Sequence, residues 1–460
     1  VRILLWHGYL LTGSGSNVYT ANIAREWRRA GHDVLLLCQE RHASELDFVD
    51  AAGDFTKEND RFDAVETGAP GASGRCVVAR PAIGTVLPVY VYDAYEGFTA
   101  KRFVDLTDEE LAAYTDSNVA AMTSAISVHQ PDAVITGHEV MGPYIALEAC
   151  RATGTPYLAK LHGSALEYAV KLQDRYRRYA VEGLGGADVV VGGSRYMVEE
   201  ASSVIPGWTE RASVVNPGCD VELFRPIERD TAGEALVGYV GKLIASKGVH
   251  NLLAALPLLE HPARTTVVGY GGFEEGLHDL WDALKSGDAG RAAGIAQSGE
   301  TGEPLSSLVT FLASATPAYF ERAAQVDVDF PGRLEHGPLA RVLPTFDVLV
   351  VPSVVPEAFG MVAAEAAACG VLPVVPNHSG IAEAGAAIEQ RLGMPGLLTY
   401  DAADPIRGIA ATVDRVLSID PVTRFELGQQ ASELARERWA WSEVAARLLA
   451  LAPRGDSRAR

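Results

Sequence analysis

Cysteine is scarce in this 460-residue chain. The five present (Cys38, Cys76, Cys150, Cys219 and Cys369) stand far apart, none at C-x-x-C spacing, and several lie in apolar strand-like or helix-like runs. That pattern excludes a paired zinc or redox motif and suits buried free thiols in a reducing compartment. Basic residues are in deficit as well: 39 Lys and Arg against 59 Asp and Glu give a formal net charge of −20. Counterion release on a nucleic acid needs clustered cations, so no nucleic-acid partner is expected, although one domain can still carry a local basic face. No apolar run approaches the length of a membrane span. The opening run Val1–Leu5 is too short for a signal-peptide core, and Gly8 and polar residues soon follow. A cytoplasmic location is the expectation.

What is present is an ordinary soluble composition, 48% hydrophobic and 21% charged, in a chain too long for one typical core. Strand-like and helix-like runs alternate in both halves, which implies parallel sheets. In the first half, Val1–Leu5 reads as a strand, residues 17–30 as a helix stopped by Gly31, and Asp33–Cys38 as the next strand. The loop between them carries Gly13, Ser14, Gly15 and Ser16. Such glycines let backbone approach a phosphate or sugar, or they form a plain flexible turn; the full G-x-G-x-x-G spacing is missing. Residues 40–115 resist assignment, although Val86–Tyr92 alternates as a strand would. Tyr90, Tyr92, Tyr95, Phe98 and Phe103 are expected to pack in a core first and to stack on sugars second. Further strands are expected at Ala133–Thr136, followed by His138, and at Pro156–Leu161, followed by His162. Ligands in open α/β sheets bind beyond the carboxyl ends of strands, which makes both histidines candidates. One long helix is predicted over residues 166–184; its Lys171, Arg175, Arg177 and Arg178 read as a solvated basic face before an anionic membrane or acceptor face.

The second half restarts at Leu236–Val240, and Lys242 and Lys247 flank the loop that follows. Two cations at a strand end beside a helix N-terminus can clamp a diphosphate. Between residues 273 and 326 there is more chain than one helix needs, and residues 282–302 read as a mobile excursion. The densest stretch is residues 348–376: a buried strand, a Pro-broken loop holding Glu357, Phe359 and Gly360, a helix from Met361 to Cys369 carrying Glu365, and a second buried strand. The Phe359–Met361 backbone at that helix N-terminus suits a phosphate, and two carboxylates beside it suit sugar and ribose hydroxyls. Residues 436–451 read as one terminal helix with Trp439 and Trp441, and residues 453–460 as a disordered end.

The string E-A-F-G-M-x-x-x-E from Glu357 to Glu365 resembles the E-x7-E motif of retaining glycosyltransferases of the GT-B fold, family GT4. Asn216–Asp220 (N-P-G-C-D), the run G-K-L-I-A-S-K-G from Gly241 to Gly248, Gly269–Gly272 and Asn377–Ile381 are similar to further segments of that family. Lys242 stands where the family most often has Arg, and Ser379 where it has Gly. The resemblance implies an α/β chain of two Rossmann-like doubly wound domains facing across a cleft. Residues 1–220 would bind the acceptor, with the helix 436–452 packed back on them; residues 221–435 would bind the nucleotide sugar, with an insertion near 273–325. It implies a retaining, metal-independent transfer without cofactor, from a nucleotide-diphosphate sugar (UDP- or GDP-linked) to a hydroxyl of a sugar, lipid-linked or small-molecule acceptor. Peripheral membrane contact stays open.

By the same resemblance Glu357, His162 and Lys247 carry the reaction. Gly13, Gly15, Lys242, Arg333, Leu334, Phe359, Gly360, Met361, Glu365 and Gly380 hold the donor, Arg333 and Leu334 at its base, and His138 lies near the acceptor. A nucleotide-sugar 2-epimerase of the same fold and a non-catalytic sugar-nucleotide binder are the rival readings. The poor dinucleotide fingerprint argues against a dehydrogenase. The base, sugar, acceptor and oligomeric state are not written in the sequence.

Overall fold

The computed structural model describes residues 1–69, 71–91, 95–228 and 233–454. The chain forms two compact units, one of residues 1–217 with 441–460 and one of residues 218–440.

In the first unit nine strands, among the described residues, form one sheet. Its order runs Ala212–Val214, Val189–Gly192, Tyr157–Lys160, Ala133–Gly137, Arg2–Trp6, Asp33–Leu37, Arg75–Arg80, Ala51–Phe55, Phe62–Glu66. Every pairing is parallel except the last, where Ala51 faces Glu66 in an antiparallel hairpin. The central strands are buried on both faces, so Ile3, Leu4, Val34, Leu36, Val134 and Ile135 form a continuous apolar layer. Arg2–Trp6 is the first strand in sequence and sits mid-sheet, with Asp33–Leu37 on one side and Ala133–Gly137 on the other. The sheet therefore reverses direction of travel between Arg2–Trp6 and Ala133–Gly137, and loops leaving such a switch point diverge and open a crevice.

Among its described residues the second unit holds a six-stranded parallel sheet in the order Val328–Gly332, Ala263–Tyr270, Ala235–Lys242, Val348–Val350, Leu372–Pro376, Thr399–Tyr400. Its switch point lies between Ala235–Lys242 and Val348–Val350. Both units are thus doubly wound α/β layers, as the alternation predicts.

Several elements differ from the sequence reading. Residues 166–184 are not one helix: a π-turn over Leu166–Val170 ends before Gln173, which is extended, and Asp174–Gly186 begins a new helix. The basic face expected there is largely neutralised, with Lys171 on Glu167 and Glu200 at 2.5 and 2.6 Å, Arg175 on Asp108 at 2.9 Å and Arg177 on Asp174 at 3.2 Å. The excursion expected at 282–302 is ordered: helices Glu274–Ser286 and Ala289–Ser298 pack together, with Ala292 and Ala296 fully buried. Small residues there make close helix packing, which composition alone reads as looseness. The helix expected over 436–451 is two, broken at Ala440, whose backbone is extended. Pro421–Trp439 belongs to the second unit and Trp441–Leu451 to the first. In the first unit Trp441 meets the Tyr19 ring at 5.5 Å and the Trp27 indole donates to the Ala445 carbonyl at 2.9 Å. The strand expected over Val86–Tyr92 covers Val86–Val89, paired in parallel with Thr99–Arg102; Tyr92 and residues 455–460 lie outside the described residues. Among the described residues no helix is long and apolar enough to cross a membrane.

Candidate active site

Both switch points carry chemistry. In the first unit, three adjacent parallel strands deliver three histidines to one place: His7 follows Trp6, His138 follows Gly137, and His162 lies just past Lys160. The rings of His7 and His138 stack at 5.7 Å, and those of His138 and His162 lie 4.9 Å apart. His7 is held on both nitrogens by the helix Gly15–Arg29, with Nε2 2.8 Å from Asn17 Oδ1 and Nδ1 3.1 Å from Thr20 Oγ1. The Asn17 amide donates to the Thr12 carbonyl, so its oxygen faces the ring and Nε2 carries the proton. Burial pulls the His7 pKa down to about 4, so the ring is neutral and Nδ1 lies against the Thr20 hydroxyl, which also donates to the Ser16 carbonyl at 2.9 Å.

His138 has both ring nitrogens buried without a partner and a backbone φ of 71°. A left-handed conformation in a bulky residue stores strain, and buried polar atoms without partners are rare; both features concentrate at functional sites. Burial holds His138 and His162 well below the usual histidine range, with neighbouring histidines adding to the effect. The loop after His138 sets His162: Glu139 Oε1 accepts from the His162 N–H at 2.9 Å and the Gly163 N–H at 2.7 Å. Glu139 is fully buried, and burial raises its pKa. Lys160 is buried under the Tyr19 ring at 5.2 Å, and desolvation brings it down to about 7 against the pull of Glu139.

A cavity of about 260 Å3 opens here, bordered by Gly15, Ser16, Tyr90, Tyr95, His138 and His162. Gly13, at φ 93°, shapes the turn before Gly15. Of the aromatics named from sequence, Phe103 stacks on Tyr90 inside the core and Phe98 lies under Arg41. His7, Glu139 and Lys160 were missed by the sequence reading. A lysine in the otherwise apolar run Tyr157–Leu161 was the available signal, since lysine is almost never fully buried unless paired.

In the second unit the strand Ala235–Lys242 runs one residue past Gly241, so Lys242 is its exposed last residue rather than part of the loop. The chain then makes a single 3-10 turn, Ala245–Lys247, and Gly248 at φ 72°. A Cβ on Gly248 would stand 1.9 Å from the Pro352 carbonyl oxygen, so only glycine lets this loop lie against the one that leaves Val350. The closeness is fixed further by Val354 N–H donating to the Ser246 carbonyl at 3.0 Å. It brings Lys247 Nζ to 2.8 Å from Glu357 Oε1, joining residues 110 positions apart.

Glu357 is tied behind by its backbone, which receives the Gly380 N–H at 2.9 Å and donates to Ser379 Oγ at 3.1 Å. Phe359 is buried against Trp439, with ring centres 5.7 Å apart, and Gly360, at φ 79°, opens the helix Met361–Ala368 with no side-chain cap. The Ala363 N–H is taken by the Gly360 carbonyl at 3.0 Å, and no side chain caps the helix N–H groups ahead of it, which suits an anion. Glu365 lies inside the helix, and desolvation pushes its carboxyl up to about 7, so it is not the plainly ionised group that its spacing suggested. Arg333 is exposed, paired with Glu335 at 2.9 Å and lying 4.9 Å over the Tyr270 ring, while Leu334 packs on the unit's core. Among the described residues there is no cluster of three or more His, Cys, Asp or Glu disposed to hold a metal ion.

Residues 14–218 match the family model described as "Glycosyl transferase 4-like domain", and residues 321–432 the one described as "Glycosyl transferases group 1". Over 333 residues the chain is 30% identical to D-inositol 3-phosphate glycosyltransferase 1 of Catenulispora acidiphila, covering 69% of this chain and 71% of that protein. It is 27% identical over 340 residues to glycogen synthase of Mycobacterium tuberculosis, covering 71% of this chain and 70% of that one. Among solved structures it is similar to Anabaena HepE in complex with UDP, with a TM-score of 0.59, 17% identity, and 98% and 99% of the two chains covered.

Proposed function

The chain belongs to the group 1 glycosyltransferases, family GT4 on the GT-B fold, and from that premise we propose that it moves a sugar from a nucleotide-diphosphate sugar to an acceptor hydroxyl, with retention of configuration and without a metal ion. The observation that carries this reading is the Lys247–Glu357 pair beside the uncapped helix start at Gly360. A diphosphate arriving there replaces Glu357 as the partner of Lys247 and receives the helix N–H groups, and Glu357 is released toward sugar hydroxyls. As the bond between the anomeric carbon and the diphosphate breaks, negative charge grows on the leaving phosphate. Lys247 and the helix terminus stabilise it electrostatically. No Asp or Glu is assigned as a nucleophile. The acceptor oxygen attacks the face that the leaving group departs from, and its proton passes to a leaving phosphate oxygen.

In this reading the second unit is the donor half. Lys242 supplies a second charge, and Phe359, Met361 and Gly380 supply backbone. Glu365 takes the ribose, and Arg333 and Leu334 take the base. The donor is a UDP- or GDP-sugar, the former favoured by the UDP in the similar HepE structure. The first unit is the acceptor half: its cavity, with neutral His138 and His162 on the wall, accepts a hydroxylated molecule without asking it to carry charge, while Gly13 and Gly15 in the loop beside it let backbone approach the donor. His162 is its candidate for a sugar hydroxyl. The reaction proceeds in the cytoplasm.

The test is a thermal-shift screen of UDP-, GDP- and ADP-sugars, since a ligand that binds the folded state raises its stability. Transfer is then measured in EDTA, with the product anomer read by NMR. Near-normal turnover in both Lys247→Ala and Glu357→Ala overturns the assignment, as does an inverted product.

A further inference from the structure

The second unit has another cavity, of about 830 Å3, that the donor reading does not use. It shares Ala245 and Ser246 of the Ala245–Lys247 turn but is bordered by neither Lys247 nor Glu357, and it is walled by Ser246, His250, Glu300, Ser307, Phe311 and Asp404. Its volume falls in the range of small-molecule sites. It opens where the strands Ala235–Lys242, Val348–Val350 and Thr399–Tyr400 end, the edge at which open α/β sheets take ligands. The fourth wall is contributed by residues 300–311, from the segment that adds four helices between Glu274 and Ala323.

The cavity wall is built rather than incidental. His250 is 2% exposed, and its Nδ1 is buried without a partner. Burial keeps the ring neutral, at about 4. Behind the wall, the buried Asn251 oxygen accepts from Ser307 Oγ at 2.7 Å and so fixes that wall residue. Glu300 is fixed by the Ala245 N–H at 2.7 Å. Native proteins rarely leave a group such as His250 Nδ1 unsatisfied without a ligand, a water or a function to answer it.

The charge on the wall selects the occupant. Glu300, Glu303 and Asp404 face one cation, Arg407, which is already paired with Asp404 at 3.0 Å. An anion is repelled. Acceptor-only carboxylates, the hydroxyls of Thr301, Ser307 and Thr310, a neutral imidazole and the apolar surfaces of Pro304 and Pro405 suit a molecule with many hydroxyls and apolar C–H faces, while Arg407 lies over the Phe311 ring at 5.4 Å. We propose that this cavity is a second small-molecule site, distinct from the donor position, that binds an uncharged polyhydroxylated ligand such as a short saccharide or polyol.

The full chain is titrated by calorimetry with maltose, sorbitol and glucose 6-phosphate, and again as Thr310→Trp, which places a large ring in the cavity from an exposed helix position. Saturable binding of maltose or sorbitol, weakened about tenfold or more in the variant, is expected. Three results overturn the proposal. One is no saturable binding of either neutral probe up to about 20 mM. The others are binding unchanged in a Thr310→Trp protein whose circular dichroism and melting match the parent, and preference for glucose 6-phosphate. Donor binding is measured in the same preparations. Its loss with maltose binding intact counts against the donor assignment and leaves this site standing.

Discussion

At the first unit's switch point, three histidines and a lysine share a buried place with Tyr19 and Tyr90, and desolvation drives His7, His138 and His162 to the neutral form. At the second unit's switch point, Lys247 and Glu357 form an ion pair whose side chains keep 33% and 16% of their exposure. The same topology thus carries opposite electrostatics. A partly solvated ion pair is weak, because water competes for both charges, and it can be exchanged for a ligand's charge at little penalty. A desolvated neutral cluster cannot accept charge cheaply, but it can exchange hydrogen bonds with hydroxyls. The contrast fits a phosphate-bearing molecule in one unit and an uncharged hydroxyl in the other.

The largest expected effect breaks the charged side of that contrast. Lys247→Ala should lower transfer by about 100- to 1000-fold, the usual loss for one preorganised group that stabilises transition-state charge. Glu357→Gln removes the resting partner of Lys247 while keeping the shape, so donor binding survives better than turnover does. Steady-state rates with separate donor titrations check both. A Lys247→Ala enzyme within a few-fold of the parent would erase the distinction between the two units.

Backbone geometry at the same place gives the next test. Gly248→Ala puts a Cβ into the Pro352 carbonyl in a left-handed conformation. We expect a loss of about 1–3 kcal/mol, with looser donor binding because Lys247 is carried away from the helix start at Gly360. Chemical denaturation measures the first effect and a donor titration the second. An unaltered midpoint would mean that the two loops do not need the close approach.

The two units also differ in how much of them could be read beforehand. The residues gathered around Glu357, Phe359, Gly360 and Glu365 are contiguous, and the turn ending at Gly248 is compact, so strand, loop and helix signals placed them on the right elements. The partner strands followed from apolar runs buried on both faces. His7, Glu139 and Lys160 became neighbours only through strand order, which local periodicity does not encode. Their desolvation follows from that neighbourhood. The hairpin Ala51–Phe55 with Phe62–Glu66 was missed because its second strand is almost wholly exposed, leaving no apolar alternation to detect. The break at Ala440 was missed because Trp439 and Trp441 both fit a helix pattern, and only packing assigns one to each unit.

The neutral side of the comparison is tested by acid. His7 falls to about 4 on folding from an ordinary 6.5. Between those values the unfolded chain binds the proton and the folded chain does not, so stability is lost as pH falls below about 6.5. At pH 5 His7 alone should contribute a loss of about 2 kcal/mol, with His138 and His162 adding to it. Melting temperatures from pH 7.5 to 5 measure it. His7→Gln, which keeps a neutral donor and acceptor, should shallow the slope. A flat profile in the parent would mean that the ring is solvated.

Glu365 places a neutral group inside the charged half and so sharpens the comparison most finely. Its carboxyl rises to about 7 on folding from an ordinary 4.5. The folded chain therefore holds the extra proton between those values, and the stability this brings is present at low pH and lost as pH rises through about 7. Ribose hydroxyls are better held by the ionised form, which accepts on both oxygens. Donor affinity should then rise about tenfold from pH 6 to pH 8, following the ionised fraction of a group near 7. The donor must be an intact nucleotide sugar, because the terminal phosphate of a free diphosphate itself titrates near about 6. Glu365→Gln should bind more weakly at pH 8 and lose the pH dependence. A rise that persists in the variant assigns the titration to another group, and an affinity equal at both values in the parent removes Glu365 from the ribose.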